Sequence, residues 1–334
     1  MYIYQFNIPK LPWGRLILLA LISSHASAYS QTLNWNPNRY VEFITSAGAG
    51  GAQDVTVRLI EKIWREKRVV DFPITITNKP GGGGAIGWTY LNQHVGDGRY
   101  LSMITVTLLT THIIGQTQLN YSDFTPIAML FSEYVAFTVN ADSQIKTGKD
   151  LISLLKKDPG SVRFALSSAL GNSNHIAIGK VMKAIGGDVR KLKVAVFRSN
   201  SEVVTAALGG HVDVGLVPAS IPISYLNSGI RVIAIASPQR LDSALSGVPT
   251  WREQGVEAVA ANWRGVMGAP GIGQAQVSFW ERAFDILTRT DEWKKDLKTN
   301  AWVNNYMDSQ NSKKYIASQY QELKSILAEL GVIK

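Results

Sequence analysis

Cysteine is absent from this chain, and that absence excludes several chemistries at once. There is no disulfide framework, no thiol nucleophile and no thiol to carry a lipid at the N-terminus. Long apolar runs are missing too: Leu16 to Ile22 falls far short of the roughly 20 residues that span a bilayer, and no other segment is long and apolar enough. Histidine is scarce and scattered. His25, His94, His112, His175 and His211 form no H-E-x-x-H pattern, so the sequence calls for no zinc and no other metal. Clustered Lys and Arg with interleaved aromatics are also lacking, since the basic residues alternate with acids in "EKIWREKR" and "KDLISLLKKD". That is the pattern of solvated helix faces, and nucleic acid is excluded as a partner.

What is present begins with a leader. Lys10 and Arg15, the apolar run after them and Ala26-Ser27-Ala28 follow the basic, apolar, small-residue order of a secretory signal cleaved near Ala28. An exported protein starting at Tyr29 is the expectation. Removing 28 of the 334 residues leaves 306, enough for two domains, and the charge falls from +9 to +7 as Lys10 and Arg15 leave without an acid. A modest positive excess favours anionic ligands.

Apolar runs alternate with helical periods along the mature chain. "YVEFITS", "ITITN", "YLSMITV", "VRFALS", "LKVAVF", "VDVGLV" and "RVIAIAS" read as strands; Val55, Leu59, Ile60, Ile63 and Trp64 share one face of the first helix, and Ile316, Tyr320, Leu323, Leu327 and Leu330 one face of the last. This order predicts an α/β fold with mainly parallel sheets. No internal repeat or low-complexity linker interrupts it.

Two strand-to-helix turns are rich in glycine. "SAGAGGAQD" supplies Ser46, Ala47, Gly48, Ala49, Gly50, Gln53 and Asp54, and "KPGGGGAIG" supplies Gly83, Gly84 and Ala85. In parallel α/β sheets ligands sit beyond the strand carboxyl ends. Glycine there lets an anion approach backbone N–H groups at a positively polarised helix start. Taken singly, each loop also reads as a tight turn. Gly82, Gly84 and Gly87 do satisfy G-x-G-x-x-G, but no Asp or Glu occurs between Asp97 and Asp123 to hold a ribose, and export argues against a nicotinamide. No cofactor is expected.

The other half offers Ser167, Ser168, Asn172, Ser173 and His175 before a helix, then Phe197 and Arg198 just past a strand. Arg198 is a candidate carboxylate clamp, with an ordinary surface ion pair as the alternative. Thr107 is a further candidate ligand contact. His175 reads as helix packing, because "GNSNH" is not the G-x-S-x-G elbow of a serine nucleophile. Asp213 reads as a turn or cap, and Trp88 and Trp263 as core.

In order, "ITSAGAGGAQDVTVRLI", "ITNKPGGGGAIG" with "LNQHVGDGRYL", "HIAIGKVMKAIGG", "FRSNSEVVTAALGGHVDVG", "RVIAIASPQR", "GVPTWREQGV" and "WRGVMGAPG" resemble the extracytoplasmic receptors of tripartite tricarboxylate transporters, the Bug family. The resemblance implies a two-lobed periplasmic binding protein of the flytrap type (type II) that acts as a monomer. It would hold a small organic carboxylate between its lobes and contact a membrane permease transiently. One carboxylate would be gripped by the glycine loops, with the segments 167–175 and 197–200 on the opposing lobe. The chain departs from the family where Ala47-Gly48-Ala49 stands for a proline-led loop and Phe197-Arg198-Ser199 for tyrosine-lysine-glycine. Lobe 1 is expected at 36–140 plus 265–334 and lobe 2 at 141–264. An exported serine hydrolase using Ser173 and His175, or a receptor feeding a signalling sensor, is the alternative.

Overall fold

The computed structural model describes residues 35–333 other than 168 and 169, so the leader and Ser168 lie outside the described residues. The strand β4 (Thr125–Asn140) runs through the middle of the molecule, with Ile127, Leu130, Phe131, Val135, Phe137 and Val139 almost wholly buried. A strand of sixteen residues shielded on both faces needs backbone partners along both edges. Its two halves find different ones. The first half pairs antiparallel with β9 (Ala261–Gly268) and β10 (Val303–Met307). The second half pairs antiparallel with β7 (Val214–Pro218) and β8 (Ile230–Ile235).

Parallel strands form the two wings. On one side β1 (Val41–Thr45) lies between β2 (Ile74–Asn78) and β3 (Tyr100–Thr105), and β3 joins β9; on the other, β5 (Arg163–Ser167) lies between β6 (Lys193–Phe197) and β7. The expected α/β wings are therefore present, but the centre of the sheet is antiparallel. Strands β4, β9 and β10, which the sequence reading did not anticipate, make it so. A long apolar run such as β4 carries no period that separates strand from buried helix, and β10 (VNNYM) is largely polar.

Two main cores follow the two halves of β4. Phe43, Ile60, Trp64, Leu109, Phe131, Trp263 and Trp280 belong to one; Val135, Phe137, Leu151, Phe164, Val181 and Trp251 belong to the other. Helix α1 (Ala52–Glu66) turns Val57, Ile60, Ile63 and Trp64 inward, while Val55 is 51% exposed, standing off the buried face on which Asp54, Thr56 and Val57 lie. Trp64 stacks on Trp280 at 5.7 Å and donates from Nε1 to the Ala283 carbonyl at 3.1 Å. Four more helices follow strand ends: α2 (Ala85–Asn92), α3 (Val106–Ile113), then, after α4 (Gly148–Lys157), α5 (Ser173–Ala184) and α6 (Asn200–Leu208). Beyond α7 (Gln274–Arg289) and α8 (Asp291–Thr299), the last helix, α9 (Ser309–Glu329), sets Ile316, Leu323 and Ile326 into the first core. Its outer flank meets α5, where Lys180 pairs with Glu322 and Lys183 with Glu329, the latter at 2.6 Å.

The contact between β9 and β4 leaves no room at Gly265. A Cβ there would lie 2.5 Å from the Ala128 carbonyl oxygen, whereas at Gly268 it would meet the flexible end of Ile272. Gly265→Ala should therefore destabilise by roughly 2–3 kcal/mol, and Gly268→Ala by about half of that or less. Urea unfolding of the two variants measures both. Equal losses would mean that β9 can shift away from β4.

Candidate ligand-binding site

Sheet direction brings five helix starts to one place. Since β3 and β4 both run antiparallel to β9, the first wing points its carboxyl ends toward the second half of β4; β7 opposes β4, so the second wing points back. The turns at these ends face a cavity of about 580 Å³, a size suited to a small molecule. Its lining includes Ala52 at the start of α1, Gly83 before α2, Thr107 on α3, Asn172 to Asn174 at α5 and Asn200 at α6. Each start carries about half a positive charge. Such a convergence of helix starts is an arrangement that suits an anion held largely by backbone.

The two glycine loops differ from the other turns in their caps. Thr105, Asn172 and Ser199 accept from the first turns of α3, α5 and α6. By contrast α1 begins behind Gly51 and α2 behind Gly84, without a side-chain cap. At α2 the Ala85 N–H is already taken by the Gly82 carbonyl, whereas the Ala52 and Gln53 N–H groups that open α1 have no acceptor among the described residues, and a carboxylate fits that role.

The first loop is braced from beneath. Asp54 Oδ2 accepts from Gly50 N–H at 2.8 Å and Arg58 Nε at 2.9 Å, and Oδ1 accepts from Asn78 Nδ2 at 2.9 Å. The hydrogen bond from Arg58, aided by Gly50 and Asn78 against the opposing effect of burial, lowers its pKa to about 2. Gln53 Oε1 likewise accepts from the N–H and hydroxyl of Ser46, both at 3.1 Å. Gln53 and Asp54 thus hold the loop's shape, with their polar atoms turned to it.

Of the expected ligand contacts, Gly83, Thr107 and Ser173 line the cavity together. The described lining does not include Ser46, Ala47, Gly48, Ala49 and Gly50, which lead into Ala52, nor Gly84 and Ala85, which start α2. Phe197 ends β6, and Arg198 is exposed, its N–H donating to Glu202 at 3.1 Å. His175 is buried with Nδ1 accepting from Gly171 N–H at 3.0 Å, and burial lowers its pKa to about 4. Trp88 and Trp263 are core, and Asp213 pairs with Arg163 at 2.7 Å. Unforeseen residues complete the lining. Glu133, Asn262, Arg264 and Trp302 come from β4, β9 and the turn before β10. Asn174, also lining it, is 4% exposed and its Oδ1 has no partner among the described residues. A charge within an apolar strand, as in "NWRGVMG" and "FSEYVAF", was the signal available for Arg264 and Glu133.

A family model described as tripartite tricarboxylate transporter family receptor matches residues 58–332. The chain belongs to that receptor family. The receptor is 24% identical over 303 residues, 89% of each chain, to a Cupriavidus necator protein called "UPF0065 protein in gbd 5'region". Among solved structures it resembles a TctC solute-binding protein from Polaromonas, with a TM-score of 0.75 and 24% identity over 88% of this chain and 99% of that one. It also resembles an R. palustris protein solved with adipate, with a TM-score of 0.73 and 20% identity over 89% of this chain and 99% of that one. The fold they share is the two-lobed α/β fold of periplasmic binding proteins. Receptors of this family work in the periplasm, and no helix among the described residues is long and apolar enough to cross a membrane.

His175 and Asp54, beside the cleft, each make the receptor's stability depend on acid pH, in different windows. His175 titrates near 6.5 when unfolded and about 4 when folded, so the unfolded state takes up a proton first and stability falls as pH drops from about 6.5 to 4. Asp54 contributes above its ordinary 3.8, and that contribution is lost as pH falls toward about 2. In His175→Gln the upper slope should disappear and the lower one persist. Melting temperatures against pH test this; an unchanged upper slope would assign the proton to another group.

Proposed function

We propose that the cleft binds a small organic carboxylate without turning it over, and that the receptor, a monomer, delivers it to a membrane permease. The observation that carries this reading is the pair of uncapped helix starts, α1 and α2, at the cavity. One carboxylate accepting from both would supply the missing caps. Adipate in the R. palustris protein supports a carboxylate as the ligand class. In this reading residues 1–28 are a leader removed near Ala28 on the way to the periplasm.

We place the lobe boundary inside the crossing strands. Phe131 joins the first core while Val135, Phe137 and Val139 join the second, and Trp263 marks the return. This puts lobe 1 at about 36–132 plus 263–334, about eight residues short of the limit at Asn140 and about two from that at Gly265 taken from the sequence. Two adjacent strands then form the hinge about which the lobes close.

Hydrolysis fits the geometry less well. His175 Nδ1 is occupied by Gly171, and its low pKa makes it a weak base, whereas a serine nucleophile needs a base aimed at its hydroxyl.

Thermal-shift titration with small carboxylates is the direct test. A ligand at a hundredfold excess over its Kd adds about 2.7 kcal/mol to stability. Ala52→Phe should push a ring into the cavity and weaken binding roughly tenfold or more. Gly48 gives a cleaner probe of the loop than Gly84. A Cβ at Gly48 meets nothing within 4 Å, but one at Gly84 strikes the Trp88 ring at 2.6 Å from a φ of +106°. If Gly48→Val also weakens binding while folding normally, the whole first loop approaches the ligand. Absence of binding by every carboxylate, or ester turnover lost in Ser173→Ala, would overturn the reading.

A further inference from the structure

Among the described lining residues the charged side chains are Arg264 and Glu133, at the base of the cleft. They sit on the crossing strands, with Arg264 opposite Phe131 and Glu133 opposite Asn262. Arg264 is 6% exposed and Glu133 4%. Charges so deeply buried demand partners. Glu133 has them: Oε1 accepts from Ser220 Oγ at 2.7 Å and Trp302 Nε1 at 3.3 Å, and Oε2 accepts from Arg264 Nη2 at 3.2 Å.

Arg264 is served less well. Its remaining contact is Nη1 to the Ala52 carbonyl at 3.5 Å. A guanidinium has five N–H donors. The Nε proton and one proton on each Nη therefore have no acceptor among the described residues. Phe131 and Trp302, stacked on each other at 4.3 Å, place their rings 5.4 and 5.7 Å from the guanidinium carbon and restrain its plane. A planar fork, fixed by rings and a carboxylate, facing a cavity with spare donors, is built to take an oxyanion.

We propose that Arg264 is the specificity-determining residue of the cleft, docking a second carboxylate of the ligand, with Glu133 as the residue that positions it. The inference rests on the carboxylate-receptor reading and narrows it to small acids with two anionic groups. One carboxylate lies at the uncapped helix starts and the other on Arg264. An α-amino acid is disfavoured, because Glu133 already accepts three hydrogen bonds and an ammonium group would lie beside the Arg264 cation.

Calorimetric titration with length-matched acids, succinate against butanoate and adipate against hexanoate, tests this. The native receptor should bind at least one dicarboxylate tenfold or more tighter than its monocarboxylate match. Arg264→Gln should weaken that dicarboxylate roughly ten- to a hundredfold and change the monocarboxylate less than about threefold. Arg264→Lys should restore part of the preference, and Glu133→Gln should reduce it without abolishing it. If Arg264→Gln, with Glu133 left unpaired, fails to fold, the double variant Arg264→Gln/Glu133→Gln leaves no lone buried charge. With a native circular-dichroism spectrum, it should show the same collapse of the preference. Equal weakening of both acids, or a preference that survives in the folded variants, would overturn the role of Arg264 and leave the receptor reading standing. A native receptor that binds neither dicarboxylate more tightly than its monocarboxylate match would also overturn the role of Arg264, and only the wider carboxylate screen decides the receptor reading.

Discussion

Backbone hydrogen bonding along β4 is the constraint from which the rest follows. A sixteen-residue strand with no wet face cannot leave N–H or C=O groups unpaired, and this one is satisfied by β9 and β10 in one half and by β7 and β8 in the other. Two sheets thereby share a strand while keeping separate cores. The wings attached to them run toward each other, so that strand carboxyl ends, and the helices that follow, converge on the joint. The cleft is the consequence of strand direction before it is a matter of any side chain.

Much of this was legible in the sequence, for identifiable reasons. Glycine-rich turns after β1 and β2 announce themselves because few side chains tolerate that backbone, and the wings alternate strand with helix in the usual way. The braces within the first loop were harder to see. Gln53 and Asp54 have the chemistry of ligand contacts, and only coordinates show their oxygens turned back to Ser46, Gly50 and Asn78. Asn78 itself is a common polar residue at a strand end. The base of the cleft was illegible for a different reason: β4 and β9 pair residues about 130 positions apart, as Glu133 and Arg264 show, and no local period records such a pairing.

The caps show how one feature divides labour between the lobes. On the second lobe Asn172 and Ser199 satisfy their own helices, and Ser167 Oγ donates to Asn200 at 2.7 Å, so that surface is polar and, apart from Asn174 Oδ1, largely paired within itself. On the first lobe the glycines leave the helix starts open. In the proposed reading, charge recognition falls to the first lobe and the joint, while the second presents hydroxyl and amide groups that suit water or uncharged parts of a ligand.

The last helix adds something that a two-strand hinge alone lacks. Because α9 is rooted in the first core yet pairs through Glu322 and Glu329 with α5, whose other end opens on the cleft, it lies across the joint on an outer flank. In the proposed hinge, a rod fastened to both leaves would steer the swing, favouring rotation that slides α5 along α9 over rotation that pulls them apart. The tail of the molecule is thereby mechanically connected to the mouth. A bulky fusion beyond α9 would burden the swing, whereas a small fluorophore there would report it.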